Sequence, residues 1–162
     1  MARKATATAV SKTVQGMRTA ITALLAATAI SAAAGCHTDT QTVGPMGGLV
    51  VSEDGRFSLE IPAGALDRDV DISIEEVECE RSESMGPCYD VQPRGTAFVY
   101  PAELAYEIGD MDLADVEPGS LGVIAERDDG WRVLADREVD TDDEVVYASA
   151  MYLSTFALVP VE

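Results

Sequence analysis

The sequence predicts an all-β fold: an antiparallel β-sandwich of eight or nine strands, following a cleaved helical signal segment. Three observations predict it. Short segments alternate apolar and polar residues with a period of two, which marks half-buried strands. Asp-Gly, Gly and Pro turn signals separate those segments. No stretch after residue 36 sustains a helical period.

Taken in order, Gly48-Leu49-Val50-Val51 is the first expected strand, and Glu53-Asp54-Gly55 joins it to the next as a hairpin. In that next strand Phe57, Leu59 and Ile61 alternate with Arg56, Ser58 and Glu60. Pro62, which has no amide hydrogen for a ladder, ends it. Val70, Ile72 and Ile74 alternate with Asp71, Ser73 and Glu75. The pattern slips at Glu75-Glu76 and resumes with Val77 and Cys79, which predicts a β-bulge. Cys79 ends this strand and Cys88 begins another. Leu104, Tyr106 and Ile108 alternate with Glu103, Ala105 and Glu107. Leu121, Val123 and Ala125 lead to a second hairpin at Asp129-Gly130, followed by Trp131 and Val133. Two apolar strands, 145–151 and 155–161, close the chain.

The start of the chain carries an address. Residues 1–19 hold Arg3, Lys4, Lys12 and Arg18 and no acid. An apolar run and small residues follow, which is the order of a secretory signal. Ala34-Gly35-Cys36 then resembles the cleavage box of a bacterial lipoprotein precursor, with Ala33 where the pattern usually has Leu. The resemblance implies that the mature chain begins at Cys36 and carries diacylglycerol and an acyl chain there. Plain secretion, cleaved after Ala32-Ala33-Ala34, and an uncleaved anchor are the alternatives. Acylating Cys36 leaves Cys79 and Cys88 as an even pair in an oxidising compartment, which predicts a disulfide against two buried thiols. Closing that short loop stabilises by roughly 2.5–3 kcal/mol on the chain-entropy model.

Three segments are therefore expected: a signal peptide over 1–35, a lipidated flexible tether over 36–46, and the sandwich over 47–162. Residues 36–162 hold seven Arg, no Lys and all 29 acids, a formal charge of −22. Such a surface repels nucleic acid and anionic membrane, and suits divalent cations or a basic partner.

Gly47-Gly48-Leu49-Val50 and the run Asp54-Gly55-Arg56-Phe57-Ser58-Leu59-Glu60-Ile61-Pro62-Ala63-Gly64-Ala65-Leu66 resemble the ZU-five domain. That domain is shared by zonula-occludens proteins, netrin receptors and ankyrins. The likeness continues through Tyr89, Pro93-Arg94-Gly95-Thr96, Phe98 and Pro101-Ala102-Glu103-Leu104. It implies a β-sandwich that makes protein–protein contacts. Pro62 and Gly64 force a turn, from which Ala65-Leu66 tuck back onto the sandwich edge. Near the end, Tyr152-Leu153-Ser154-Thr155-Phe156-Ala157-Leu158-Val159 is similar to the last strand of self-cleaving GAIN-type sandwiches. There a hydroxyl attacks the carbonyl before it, with a histidine at the position Tyr152 holds here. A phenol is a poor base near neutral pH, and the sole histidine, His37, falls in the tether. An intact chain is expected.

The acidic runs Asp110, Asp112, Asp115, Glu117 and Asp140, Asp142, Asp143, Glu144 invite a Ca²⁺ reading. Neither has the spacing of an EF-hand, so both are expected to be solvated loops. Asp67, Asp69 and Asp71 read as an outward face leading into a strand. Trp131 is read as core, with a ring offered to a sugar or peptide as the alternative. No nucleophile elbow, phosphate loop or Cys/His dyad occurs.

The expected function is a non-catalytic, lipid-anchored envelope protein, acting as a protein-interaction or structural module. A calcium- or carbohydrate-binding envelope lipoprotein is the alternative. The expected partners are a membrane, through the lipid on Cys36, and a protein, with no nucleic acid and no cofactor beyond the covalent lipid. His37 stands where Asp retains many enterobacterial lipoproteins on the inner membrane, so the outer membrane is expected.

Overall fold

The computed structural model describes residues 40–109, 113 and 116–161. Among these residues, eleven strands form two antiparallel sheets. One sheet is ordered β1 (Thr40–Val43), β4 (Val70–Val77), β5 (Cys88–Gln92), β11 (Thr155–Pro160), β7 (Leu121–Arg127), β8 (Gly130–Val133). The other is ordered β2 (Gly48–Val51), β3 (Phe57–Ile61), β6 (Ala97–Glu107), β10 (Val145–Tyr152), β9 (Ala135–Asp140). The predicted antiparallel sandwich is what forms, with eleven strands among the described residues where eight or nine were expected.

Period-two alternation puts one row from each strand into the space between the sheets. Phe57, Leu59 and Ile61 come from β3, Ile72 and Ile74 from β4, Leu104 and Tyr106 from β6, and Phe156 and Leu158 from β11. The Phe57 ring stacks on Tyr89 at 4.8 Å and on Phe156 at 5.5 Å, and Tyr106 meets it edge-on at 6.1 Å. Central strand β11 is buried on both faces. Its outward residues Ala157 and Val159 join Cys88 and Ile124 in a small second cluster, on which Val77, Cys79 and Trp131 pack. Cys79 and Cys88 form a disulfide there, with Cα atoms 5.0 Å apart. Trp131 is half-buried against this outer cluster rather than in the space between the sheets.

The chain changes sheet through tight connections. Gly47, at φ 75°, closes the turn between β1 and β2. A Cβ there would stand 2.3 Å from the Ile61 carbonyl oxygen, so only glycine fits. The Pro62–Leu66 turn folds as its sequence implies. The Ala65 amide bonds the Pro62 carbonyl at 3.1 Å, and Ala65 and Leu66 are buried. Leu134 links β8 to β9, its amide bonding the Val123 carbonyl at 2.9 Å.

Three further expectations change. First, strand structure begins at Thr40, inside the segment expected to be a flexible tether; residues 36–39 lie outside the described residues. Thr40–Val43 pairs along Val70–Ser73 of β4 and buries Val43. Second, β9 (Ala-Asp-Arg-Glu-Val-Asp) is a strand without apolar alternation, because pairing with β10 and not burial holds it. Third, Glu75-Glu76 is not a bulge. Ile74, Glu75, Glu76 and Val77 face Val91, Asp90, Tyr89 and Cys88 in unbroken register. What changes is the apolar face: Ile72 and Ile74 point into the core, whereas Val77 and Cys79 point to the outer cluster. The register shifts actually present lie in β10, between Tyr147 and Ser149 against β9 and between Ala150 and Tyr152 against β6.

Candidate functional site

Three loops meet at one end of the sandwich: Pro93–Thr96 between β5 and β6, Asp128–Asp129 between β7 and β8, and Leu153–Ser154 between β10 and β11. They enclose a cleft of about 490 Å³, whose lining includes Arg94, Glu126, Arg127, Tyr152 and Ser154. Antiparallel pairing of β11 with both β5 and β7 brings these distant segments together. Thr155 lies opposite Asp90, and Phe156 lies opposite Ala125.

Arg94 and Glu126, which line the cleft, belong to a charged network that runs on beyond it to Asp90, Gln92 and Thr155. The Arg94 guanidinium bonds Asp90 at 2.7 Å and Glu126 at 3.0 Å. The Thr155 hydroxyl reaches Glu126 at 3.0 Å, and the Gln92 amide reaches Asp90 at 2.9 Å. Burial works to raise the Asp90 carboxyl, but the bonds from Arg94 and Gln92, with the Arg94 charge and Thr155, outweigh it and hold the group below the usual carboxylate range. The bond to Asp90 raises Arg94 in turn. Both stay charged at neutral pH.

Arg127 forms the wall. Its guanidinium lies over the Tyr152 ring, 4.5 Å from the centroid, a cation–π contact. The Tyr152 hydroxyl oxygen is buried and has no hydrogen-bond partner among the described residues. Ser154 is buried, and its hydroxyl donates to the Glu126 backbone carbonyl. The Leu153 amide bonds the Thr96 carbonyl at 2.9 Å, and the Leu153 carbonyl accepts from the Gly95 amide at 2.8 Å. The Leu153–Ser154 peptide is thus held in a bonded turn. Its hydroxyl proton points at a carbonyl oxygen, which cannot remove it as a base would.

Of the other sequence candidates, Cys36, His37, Asp110, Asp112 and Asp115 lie outside the described residues. Glu117 precedes a single 3-10 turn, Pro118–Ser120. Asp140 caps the β9–β10 turn, accepting from the amides of Asp142 at 2.9 Å and Asp143 at 3.1 Å, with Glu144 following at φ 57°. Among the described residues no three His, Cys, Asp or Glu side chains converge as a metal site. Asp67 pairs with Arg68, and Asp71 accepts from the Thr42 hydroxyl at 2.6 Å. The sequence singled out Tyr152 and Ser154 but missed Asp90, Glu126 and Arg127. The available signal was the scarcity of Arg among 29 acids, two of the few flanking segments already marked by Pro93-Arg94-Gly95-Thr96 and Asp129-Gly130.

No family model matches the chain, and no curated protein matches it. Fold and site together define an all-β sandwich with a polar cleft at one end.

Proposed function

We propose that this chain is a non-catalytic, lipid-anchored protein of a bacterial envelope, whose sandwich acts as a protein-interaction or structural module. The observation that carries this reading is the likeness of Ala34-Gly35-Cys36 to a lipoprotein cleavage box, and where β1 starts and which way it runs say how a domain anchored there would stand. Thr40 stands four positions after Cys36, and four extended residues reach at most about 14 Å. β1 is antiparallel to β4, and β4 to β5, so β1 runs parallel to β5. β5 leads into the Pro93–Thr96 loop at the cleft. A chain fixed by lipid at Cys36 would enter the sandwich heading toward the cleft. The anchor would hold the domain close to the bilayer and turn the cleft outward.

Two further features support a binding role. Val99, Tyr100 and Met151 are all exposed, in the irregular stretch between the pairs Ala102–Ala150 and Ala97–Tyr152. Large exposed apolar side chains concentrated in one stretch are a feature that a protein partner would cover. The Ser154 hydroxyl is committed to a backbone carbonyl, which favours binding over acyl transfer at the cleft. Fractionation of bacteria expressing the full chain or its Cys36→Ala variant tests the anchor. The wild type should stay with membranes in high salt, and the variant should be soluble. A variant that stays in the membrane fraction with its leader removed would refute lipid anchoring.

A further inference from the structure

We propose that the cleft binds a carboxylate, gripped by Arg127 and Tyr152. Among the described residues the other arginines are engaged. Arg68, Arg81, Arg94 and Arg132 bond carboxylates, Arg137 bonds the Leu121 carbonyl, and Arg56 also has a partner. Arg127 alone has a ring contact and no hydrogen-bond acceptor, in a chain with 29 acids. Asp128, its neighbour at the same cleft, does not take that role.

The Arg127 guanidinium lies over the Tyr152 ring, and its N–H edge has no acceptor among the described residues. That edge is a planar fork, which matches the two oxygens of a carboxylate. The Tyr152 hydroxyl, on the ring that carries this guanidinium, is buried and is a second donor that lacks an acceptor. Two unused donors on one wall call for an anion. Charge limits which one. Glu126 and Asp128 border the cleft, and the whole chain carries −18, so a phosphate dianion meets more repulsion than a monoanion. A carboxylate satisfies both donors at the lowest charge. The α-carboxylate of a peptide terminus and the carboxylate of a sugar acid share this chemistry.

The test is equilibrium dialysis of the full chain in detergent, with radiolabelled N-acetyl-trialanine and glucuronate as probes. At least one acid should bind saturably, with a dissociation constant in or below the millimolar range. The amide of N-acetyl-trialanine should bind at least about tenfold more weakly than its acid if the peptide terminus is the ligand. Binding of glucuronate alone would assign the site to sugar acids. Either acid should lose about tenfold or more in Arg127→Gln, and about threefold or more in Tyr152→Phe, which keeps the ring under the guanidinium. Arg132→Gln, in the same hairpin and paired with Asp129, should bind as the wild type does. No saturable binding of either acid, or equal affinity in Arg127→Gln with an unchanged melting temperature, would overturn the proposal. The proposal goes beyond the envelope reading and does not depend on it, because dialysis reads the cleft wherever Cys36 is held.

Discussion

Tyr89 donates a hydrogen bond to Asp54 from one sheet to the other, with 2.6 Å between the phenol oxygen and Oδ2. Tyr89 lies on β5, and Asp54 lies in the β2–β3 hairpin of the opposite sheet. The second carboxylate oxygen accepts from the Ser52 hydroxyl at 2.5 Å and the Arg56 amide at 3.2 Å. Burial, reinforced by the bond to Asp54, pushes the phenol well above the usual tyrosine range, so it stays a donor. Tyr89→Phe should keep the stack on Phe57 and lose one bond to a charged acceptor. Urea unfolding should show a loss of about 1–2 kcal/mol. An unchanged midpoint would mean that water serves Asp54 equally well.

Acid should weaken the fold through Asp54 and Asp90. Both carboxyls lie below their ordinary value of 3.8. Burial works to raise Asp54, but the bonds from Ser52, Tyr89 and Arg56 outweigh it. As pH falls below the unfolded value, the unfolded chain takes up protons first, so stability falls with pH. The contribution is complete above about pH 5 and is lost as pH drops through the lower folded values. Melting temperature against pH should therefore decline less steeply below about pH 4 in Asp54→Asn than in the wild type. Parallel acid limbs would contradict this.

Two turn glycines should respond differently to the same substitution. Gly47 and Gly55 both have positive φ, 75° and 77°. A Cβ on Gly55 meets nothing within 4 Å, whereas one on Gly47 meets the Ile61 carbonyl oxygen at 2.3 Å and the Ala63 nitrogen at 2.8 Å. Gly55→Ala should cost about 1 kcal/mol of backbone strain. Gly47→Ala adds a clash with backbone that cannot move aside, and should cost about 3–4 kcal/mol. Equal losses in denaturant titrations would show that the β1–β2 turn is not packed this way.

The Leu153–Ser154 bond should stay whole. Cleavage needs a deprotonated hydroxyl, and the Ser154 hydroxyl keeps its proton in a hydrogen bond donated to the Glu126 carbonyl, with Tyr152 under Arg127 instead of acting as a base. Intact mass under denaturing conditions should show no separate piece beginning at Ser154. Such a piece, absent in Ser154→Ala, would make this a self-processing domain.

Strands whose alternation matches a burial pattern were legible in the sequence. Phe57, Leu59 and Ile61 are buried as their spacing implies, and the Asp54-Gly55 and Asp129-Gly130 hairpins form where they stand. β1 and β9 were not legible, because edge strands pair without burying a row; Thr40, Gln41 and Thr42 are all exposed. At Glu75-Glu76 a switch of apolar face mimics an inserted residue, since sequence shows the phase but not which side has a second cluster. The cleft was half legible. Tyr152 and Ser154 stood out by resemblance, but Glu126 and Arg127 reach them only through the pairing of β7 with β11, which no local pattern encodes.

The N-terminal peptide of the protein purified from bacterial membranes decides between anchoring at Cys36 and every alternative. Its mass, taken after proteolysis, should fit a chain that begins at Cys36, with a diacylglyceryl thioether on the sulfur and an acyl group on the amine. Two or three buried chains, at about 0.8 kcal/mol per methylene, would hold the domain on the membrane without further contacts. A peptide that begins at Gly35 with an unmodified thiol at Cys36, or one that retains residues 1–35, would contradict it.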